Sequence, residues 1–171
     1  ERPLTDLGAA HHAIQAVLTG HEPNPALAVN LRWELLASNG AAARFLDQVP
    51  ADLLAPPVNI LRATLHPDGL SRQIRNLAQW RAHVLRRVRR QLERTAAAGL
   101  AELLAELESY PAGHGTPEDR GDPAAEGIVI PMRLRTEAGD LALIYTTTLF
   151  GSPRDVTLDE ILGISMTNSQ V

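Results

Sequence analysis

Residues 25–46 constrain the fold more than any other part of this chain. Two short strands are predicted there, residues 26–30 and 33–37, with a tight polar turn between them. Ser38 or Asn39 then caps a helix rich in alanine. One continuous strand is the alternative, because apolar side chains alternate without a break at Leu27, Val29, Leu31, Trp33 and Leu35. Either pattern predicts a domain that mixes sheet and helix.

Three further helices are predicted from apolar residues at helical spacing, over residues 4–18, 70–95 and 97–110. A rigid, proline-rich connector at residues 21–25 separates the first of them from the strand pair. Residues 58–65 form a short apolar element of undetermined type. The helix at 70–95 is the longest, and its apolar residues lie on one broad face.

The C-terminal part of the chain predicts three strands, over residues 128–136, 141–150 and 160–167. In the first of them, apolar side chains, including Met132 and Leu134, lie on one face, and Arg133 and Arg135 lie on the other. Residues 137–140 form a hairpin turn between the first two. Residues 112–127 are rich in glycine and acidic side chains, and they predict a long surface loop. The fold class is therefore α+β. A five-stranded antiparallel, meander-like sheet has helices inserted between its second and third strands, packed on one face.

The bulk composition is typical of a globular domain: of 171 residues, 44% are hydrophobic and 21% are charged. No apolar run approaches the roughly 20 residues needed to span a bilayer, and no secretory signal pattern is visible. The chain has no cysteine, which excludes disulfides, thiolate zinc sites and a cysteine nucleophile. These features fit a cytoplasmic protein with no membrane partner.

The sequence offers little support for catalysis or metal binding. Its six histidines show no metal-ligand spacing. Neither a Gly-x-Ser-x-Gly elbow nor a glycine-rich phosphate loop is present. Glu102 and Glu106 lie one helical turn apart on a polar helix face, which indicates a solvated surface. We therefore expect a protein that is not an enzyme and that holds no cofactor or metal.

Arginine supplies all 16 basic residues, and six arginines crowd residues 81–94. Arg86, Arg90 and Arg94 share one helix face at i, i+4 and i+8 spacing. The simplest interpretation is a solvated or ion-paired face, balanced by the glutamates of the next helix. A protein interface and contact with DNA phosphates are the two alternatives.

Several short blocks, in order over residues 23–168, resemble the ligand-binding domain of the MmyB-like bacterial transcription regulators. The blocks are Pro23-Asn24-Pro25-Ala26 with Trp33 and Asn39, Asn59-Ile60-Leu61-Arg62 with His66-Pro67-Asp68-Gly69-Leu70, Asn76 with Trp80-Arg81, Leu107-Glu108-Ser109-Tyr110-Pro111, and Thr146-Thr147-Thr148-Leu149-Phe150-Gly151 with Asp155-Val156-Thr157-Leu158. Each block is weak alone, but their order and spacing make the resemblance specific. Residues 165–171 depart from it, because they are polar where an apolar final strand is expected.

The resemblance implies a PAS-like sensory domain of a transcription regulator. Residues 1–22 would be a linker helix from a helix-turn-helix domain absent from this chain, and residues 23–171 the PAS-like ligand-binding domain. DNA would be bound only through that absent domain. The implied ligand is an apolar small molecule such as a fatty acid, and the expected assembly is a homodimer. A protein-interaction or dimerisation module without a ligand is the alternative.

We expect the ligand to lie between the sheet and the helix at 70–95, where leucine and valine side chains suit an acyl chain. The predicted pocket wall consists of Trp33, Leu61, Leu65, Trp80, Val84, Leu143 and Tyr145. Arg62 or His66 is predicted to bind a polar head group. In a protein without a pocket, the same aromatic residues would simply fill the core.

Overall fold

The computed structural model describes residues 4–113, 130–137, 139–150 and 161–168. The described helices are α1 (Leu4–Gly20), α2 (Gly40–Leu46), α3 (Ile60–Leu65), α4 (Leu77–Thr95) and α5 (Leu100–Ser109). The described strands are β1 (Ala26–Val29), β2 (Leu35–Ser38), β3 (Met132–Thr136), β4 (Gly139–Phe150) and β5 (Ile161–Asn168). Short 3-10 helices span Ala51–Leu54 and Leu70–Gln73. Most of the predicted loop at 112–127 lies outside the described residues.

The strands form one antiparallel sheet in the order β2-β1-β5-β4-β3, which confirms the predicted α+β class. A simple meander is wrong, because β5 returns to the middle of the sheet. Ile164 of β5 lies opposite Leu27 of β1 on one side and opposite Thr147 of β4 on the other. Residues 165–168 therefore belong to a central strand. Ser165 pairs with both β1 and β4, and residues 166–168 extend the ladder with β4.

The predicted turn between β1 and β2 is confirmed, but the strand prediction at Trp33 is wrong. The backbone nitrogen of Trp33 donates to the carbonyl oxygen of Asn30 at 3.0 Å, and Trp33 has a φ of 64°. This left-handed conformation is uncommon for a bulky residue and cannot continue a strand. The ladder between the two strands consequently pairs Val29 with Leu35.

Strand β1 is buried on both of its faces. Leu27 and Val29 belong to the main core with the helices that follow β2. Ala26 and Ala28 belong to a second cluster with Ile14 and Leu18 of α1. Because alternate residues of a strand point to opposite sides, α1 covers the reverse face of the sheet. The small alanine side chains allow this helix to approach the strand closely.

The predicted single helix over residues 70–95 is wrong. A 3-10 helix ends at Gln73, and Ile74 then adopts extended backbone and forms an isolated bridge with Leu134 of β3. Asn76 fixes the break, since its Oδ1 accepts from the nitrogen of Arg133 at 2.9 Å and its Nδ2 donates to the oxygen of Pro131 at 2.7 Å. Helix α4 begins directly after these two hydrogen bonds between Asn76 and the segment that leads into β3.

Helix α5 confirms the predicted apolar stripe, with Leu100, Leu103 and Leu107 buried. Strand β3 confirms the predicted alternation, because Met132 and Leu134 are buried and Arg133 and Arg135 are exposed. The undetermined element at 58–65 is helix α3, capped by Asn59. No helix within the described ranges is long and apolar enough to cross a membrane.

Candidate functional site

The predicted pocket wall lies almost entirely in one apolar core cluster. Six of its members are between 1% and 5% exposed and share that cluster: Trp33, Leu61, Leu65, Trp80, Val84 and Leu143. The side chain of the seventh, Tyr145, lies outside what the structure describes. Helices α3 and α4, the β1–β2 turn and strand β4 thus bring the predicted wall residues together from distant parts of the chain.

Helix α4 presents its apolar face to this core. Trp80, Val84 and Val88 are buried at i, i+4 and i+8, which places them on one side of the helix. The sheet contributes Met132, Leu134 and Leu143 to the same cluster.

His83 of α4 lies beside Trp80, with 5.8 Å between the centres of the two rings. Burial lowers the pKa of His83, and the neighbouring arginines lower it further.

The turn that carries Trp33 is held from two sides. Asn30 Oδ1 accepts from the backbone nitrogens of Arg32 at 2.9 Å and Glu34 at 3.1 Å. Trp33 Nε1 donates to Oε1 of Gln91 on α4 at 2.8 Å. The guanidinium carbon of Arg87 lies 5.6 Å from the centre of the Trp33 ring, within the range of a cation–π contact.

Asn39, Asn59 and Asn76, which belong to the blocks that carry the family resemblance, have structural roles. They are 6%, 6% and 7% exposed, and their side chains bind backbone groups of other segments. Asn59, for example, caps α3 by accepting from the nitrogens of Leu61 and Arg62 at 3.1 Å. Its Nδ2 donates to the oxygen of Arg32 at 2.9 Å. Each asparagine therefore satisfies buried backbone groups that a loop would otherwise leave unpaired.

Arg62, a predicted head-group residue, is paired with Glu106 of α5. Its Nε lies 3.0 Å from both carboxylate oxygens, and its Nη2 lies 2.7 Å from Oε2. These hydrogen bonds hold the pKa of the Glu106 carboxyl below its usual value and raise the pKa of Arg62. Both side chains are about one-third exposed, at 36% and 37%. The pair is therefore a strong, directional contact at the surface, still open to solvent.

The Arg62–Glu106 pair lines an open groove of about 470 Å³ between the β1–β2 turn, α3 and α5. The groove is lined by Arg32, Glu34, Pro57, Asn59, Arg62, Gly99, Glu102, Leu103 and Glu106. Leu103 is 6% exposed and also belongs to the main core cluster. The groove consequently adjoins the apolar core at Leu103.

His66, the other predicted head-group residue, lines a different groove. That groove has a volume of about 420 Å³ and is lined by Pro50, Asp52, Leu53, His66, Asp68 and Arg72. His66 Nδ1 accepts from the backbone nitrogen of Asp68 at 3.0 Å. Its ring packs edge-on against Tyr110, with 5.1 Å between ring centres. Burial, more than the nearby carboxylate of Glu106, raises the pKa of Tyr110 to about 12.

Two residues of this region, Gln91 and Glu106, were not predicted from the sequence as part of the site. Gln91 follows Val84 by seven positions, so helical spacing places it on the same face and would have identified it. Glu106 was assigned to a solvated face. No local pattern connects it with Arg62, 44 residues earlier.

Across the described part of the chain, no three His, Cys, Asp or Glu side chains are grouped as metal ligands.

Comparison with known families defines the class of this protein. Residues 10–168 match the model of the MmyB-like transcription regulator ligand binding domain. The protein is therefore a regulatory ligand-binding domain. The chain belongs to the MmyB-like transcription regulator family, which confirms the resemblance drawn from its sequence blocks. Comparison with curated proteins gives no match.

Proposed function

We propose that this domain binds an apolar small molecule with a carboxylate head, such as a fatty acid, between α4 and the sheet. The observation that carries the proposal is the shared core cluster of six predicted wall residues, built by α3, α4, β4 and the β1–β2 turn. A core made of aliphatic side chains around Trp33 and Trp80 offers an acyl chain an apolar environment. Tyr145 of β4 completes the proposed wall.

Arg62 is the proposed head-group residue, because its groove meets the core at Leu103. A guanidinium binds a carboxylate with two parallel hydrogen bonds, as Arg62 already does through Nε to Oε1 and Nη2 to Oε2 of Glu106. An incoming carboxylate competes with Glu106 for this guanidinium. His66 is the second proposed head-group contact, reached from the other groove.

The strand order and chain order support a PAS-like domain. Among the described residues, one antiparallel sheet carries four helices, α2 to α5, between its second and third strands in sequence. In our proposal, residues 23–171 form this sensory domain of a cytoplasmic, homodimeric regulator. Residues 1–22 connect it to a helix-turn-helix domain that binds DNA.

Strand β1 contacts both the proposed ligand-binding core and helix α1, so it can couple ligand binding to the position of α1. Leu27 and Val29 pack in the core that would hold the ligand, and Ala28, on the opposite face, packs against α1. A ligand that shifts β1 by a fraction of an ångström must therefore move the docking surface of the linker helix. If the ligand binds more tightly to the protein with α1 in one position than in the other, it will shift the regulator toward the first of these two conformations.

Native mass spectrometry of the purified chain, followed by solvent extraction, tests the ligand proposal. A stoichiometric fatty acid or similar molecule is the expected result. Val84→Trp should fill the site and abolish binding of added decanoic acid, whereas Ala105→Trp, on the exposed side of α5, should not. Arg62→Gln leaves the core unchanged and should weaken decanoate binding at least tenfold. Unchanged affinity in both Val84→Trp and Arg62→Gln would refute the placement.

A dimerisation module without a ligand is the second candidate, favoured by the exposed end of β2. The segment before α3 covers the start of the outer edge of β2, where the nitrogen of Leu35 donates to the oxygen of Val58 at 2.7 Å. Leu36, which follows this contact, is 46% exposed. An exposed edge with an apolar side chain is a template for pairing with another copy. Sedimentation velocity distinguishes the candidates. Stable dimers of empty protein that Leu36→Lys dissociates would support this alternative, and a ligand-bearing protein unaffected by that substitution would exclude it.

A further inference from the structure

The six arginines of α4 differ in their contacts, and Arg87 lies over the Trp33 ring. Arg81 Nη2 donates to the carbonyl oxygen of Glu108 at 2.8 Å, and Arg89 pairs with the carboxylate of the same residue. Arg86, Arg90 and Arg94 have no hydrogen bond or ion pair with any residue that the structure describes, so the predicted ion-paired face accounts for only part of the helix. We call these three residues the arginine stripe.

The arginine stripe lies on the side of α4 that faces away from the core. Val84 and Val88 are buried on the opposite side, whereas Arg90 and Arg94 are exposed and Arg86 is half-buried. The rise of an α-helix places successive members about 6 Å apart along the axis. Three guanidiniums in a row on a rigid helix form a regular, local cationic surface on a chain whose net charge is −4.

Nearby acidic groups leave the stripe positively charged. Glu93 shares this face of α4, is exposed and makes no described ion pair, so it reduces the local charge without covering a guanidinium. Glu108 is occupied by Arg89. Burial is the main cause of the lowered pKa of His83, and the positive charges of Arg86, Arg87 and Arg90 lower that pKa further.

We propose that Arg86, Arg90 and Arg94 bind the phosphate backbone of duplex DNA. Guanidiniums donate bidentate hydrogen bonds to phosphate oxygens, and such contacts position a protein on DNA without reading its sequence. An acidic protein is the other class of partner for a cationic surface. Charges spaced regularly, about 6 Å apart along one helix, fit the repeating charges of a nucleic-acid backbone better than an irregular acidic patch. The proposal concerns this domain's own surface and does not depend on the ligand.

Fluorescence anisotropy of the purified chain with a labelled duplex of arbitrary sequence, over a series of NaCl concentrations, tests the proposal. Three phosphate contacts predict a slope of about −2.7 for the logarithm of affinity against the logarithm of salt concentration. The variant R86Q/R90Q/R94Q should lose at least tenfold in affinity and most of this slope. The control R44Q/R72Q/R135Q makes the same change in net charge at three exposed, scattered positions. It should change the affinity and the salt slope much less.

Equal losses in the stripe and control variants would show a net-charge effect and overturn the proposal. Binding of polyglutamate in preference to the duplex would also overturn it, in favour of an acidic protein partner. Circular dichroism of each variant checks that the fold is retained, which is expected because the stripe side chains make no hydrogen bond or ion pair with the described residues.

Discussion

Trp33 Nε1 donates a hydrogen bond of 2.8 Å to Oε1 of Gln91, joining the β1–β2 turn to a helix 58 residues later. Gln91 Nε2 returns a bond of 2.7 Å to the oxygen of Leu31 in the same turn. Trp33 has a φ of 64°, a conformation that costs a bulky residue free energy. Contacts across the tertiary structure must therefore hold this turn, and Gln91 supplies two of them.

Gln91→Ala should lower the free energy of unfolding by about 1–3 kcal/mol, because it leaves the indole N–H of the 3% exposed Trp33 without its acceptor. Urea denaturation followed by circular dichroism measures the change. Gln48→Ala is the matched control, since Gln48 is exposed and its side chain makes no described hydrogen bond. Equal stability of the two variants would show that Gln91 does not hold the turn.

Gly69→Ala should destabilise the protein by about 3 kcal/mol, at the upper end of the usual cost of overpacking. A Cβ atom at Gly69 would lie 2.1 Å from the backbone oxygen of Ala63, and backbone cannot move aside as a flexible side chain can. Gly8→Ala is the control, because a Cβ there meets nothing within 4 Å on helix α1. It should stabilise the protein slightly through helix propensity. Thermal unfolding of both variants distinguishes the two effects.

Acid should destabilise the wild type more than Glu106→Gln. The pKa of Glu106 is lower in the folded protein than its ordinary value of 4.5. Its charge therefore stabilises the fold above that value, and the stabilisation is lost as the pH falls through the folded pKa. Melting temperatures measured between about pH 5 and pH 3 should fall less steeply in Glu106→Gln. Glu102→Gln, one turn earlier on α5, should follow the wild type; if it flattens the profile equally, the effect is not specific to the pair.

Asn39→Asp should release α1 from the sheet while leaving the cap of α2 in place. Oδ1 of Asn39 accepts from the nitrogens of Ala26 and Ala42, and a carboxylate oxygen can do the same. Nδ2 donates to the oxygens of Leu18 and Asn24, which a carboxylate would instead repel. Hydrogen exchange should become faster in α1 than in α2. Asn24→Asp, with no described side-chain hydrogen bond to lose, serves as the control; equally slow exchange in α1 of both variants would contradict the prediction.

Local patterns account for the features that were predicted correctly. The cap at Asn39 and the stripe of α5 follow from hydrogen bonding and periodicity within a few residues. The same is true of the alternation in β3. Family blocks spread along the chain were sufficient to identify the family, because they depend on residue identity and order. None of these inferences required knowledge of which segments meet in space.

The sequence by itself determined the α+β class, the family and six side chains that share one core, since apolar periodicity selects which faces must be buried. Only the tertiary structure decided where β5 inserts, why a helix breaks at Ile74, and that Arg62 meets Glu106 while His66 lines another groove. Each of these joins residues far apart in the chain. Backbone pairing and ion pairing across such separations depend on the geometry of the whole fold, which no local window of sequence contains.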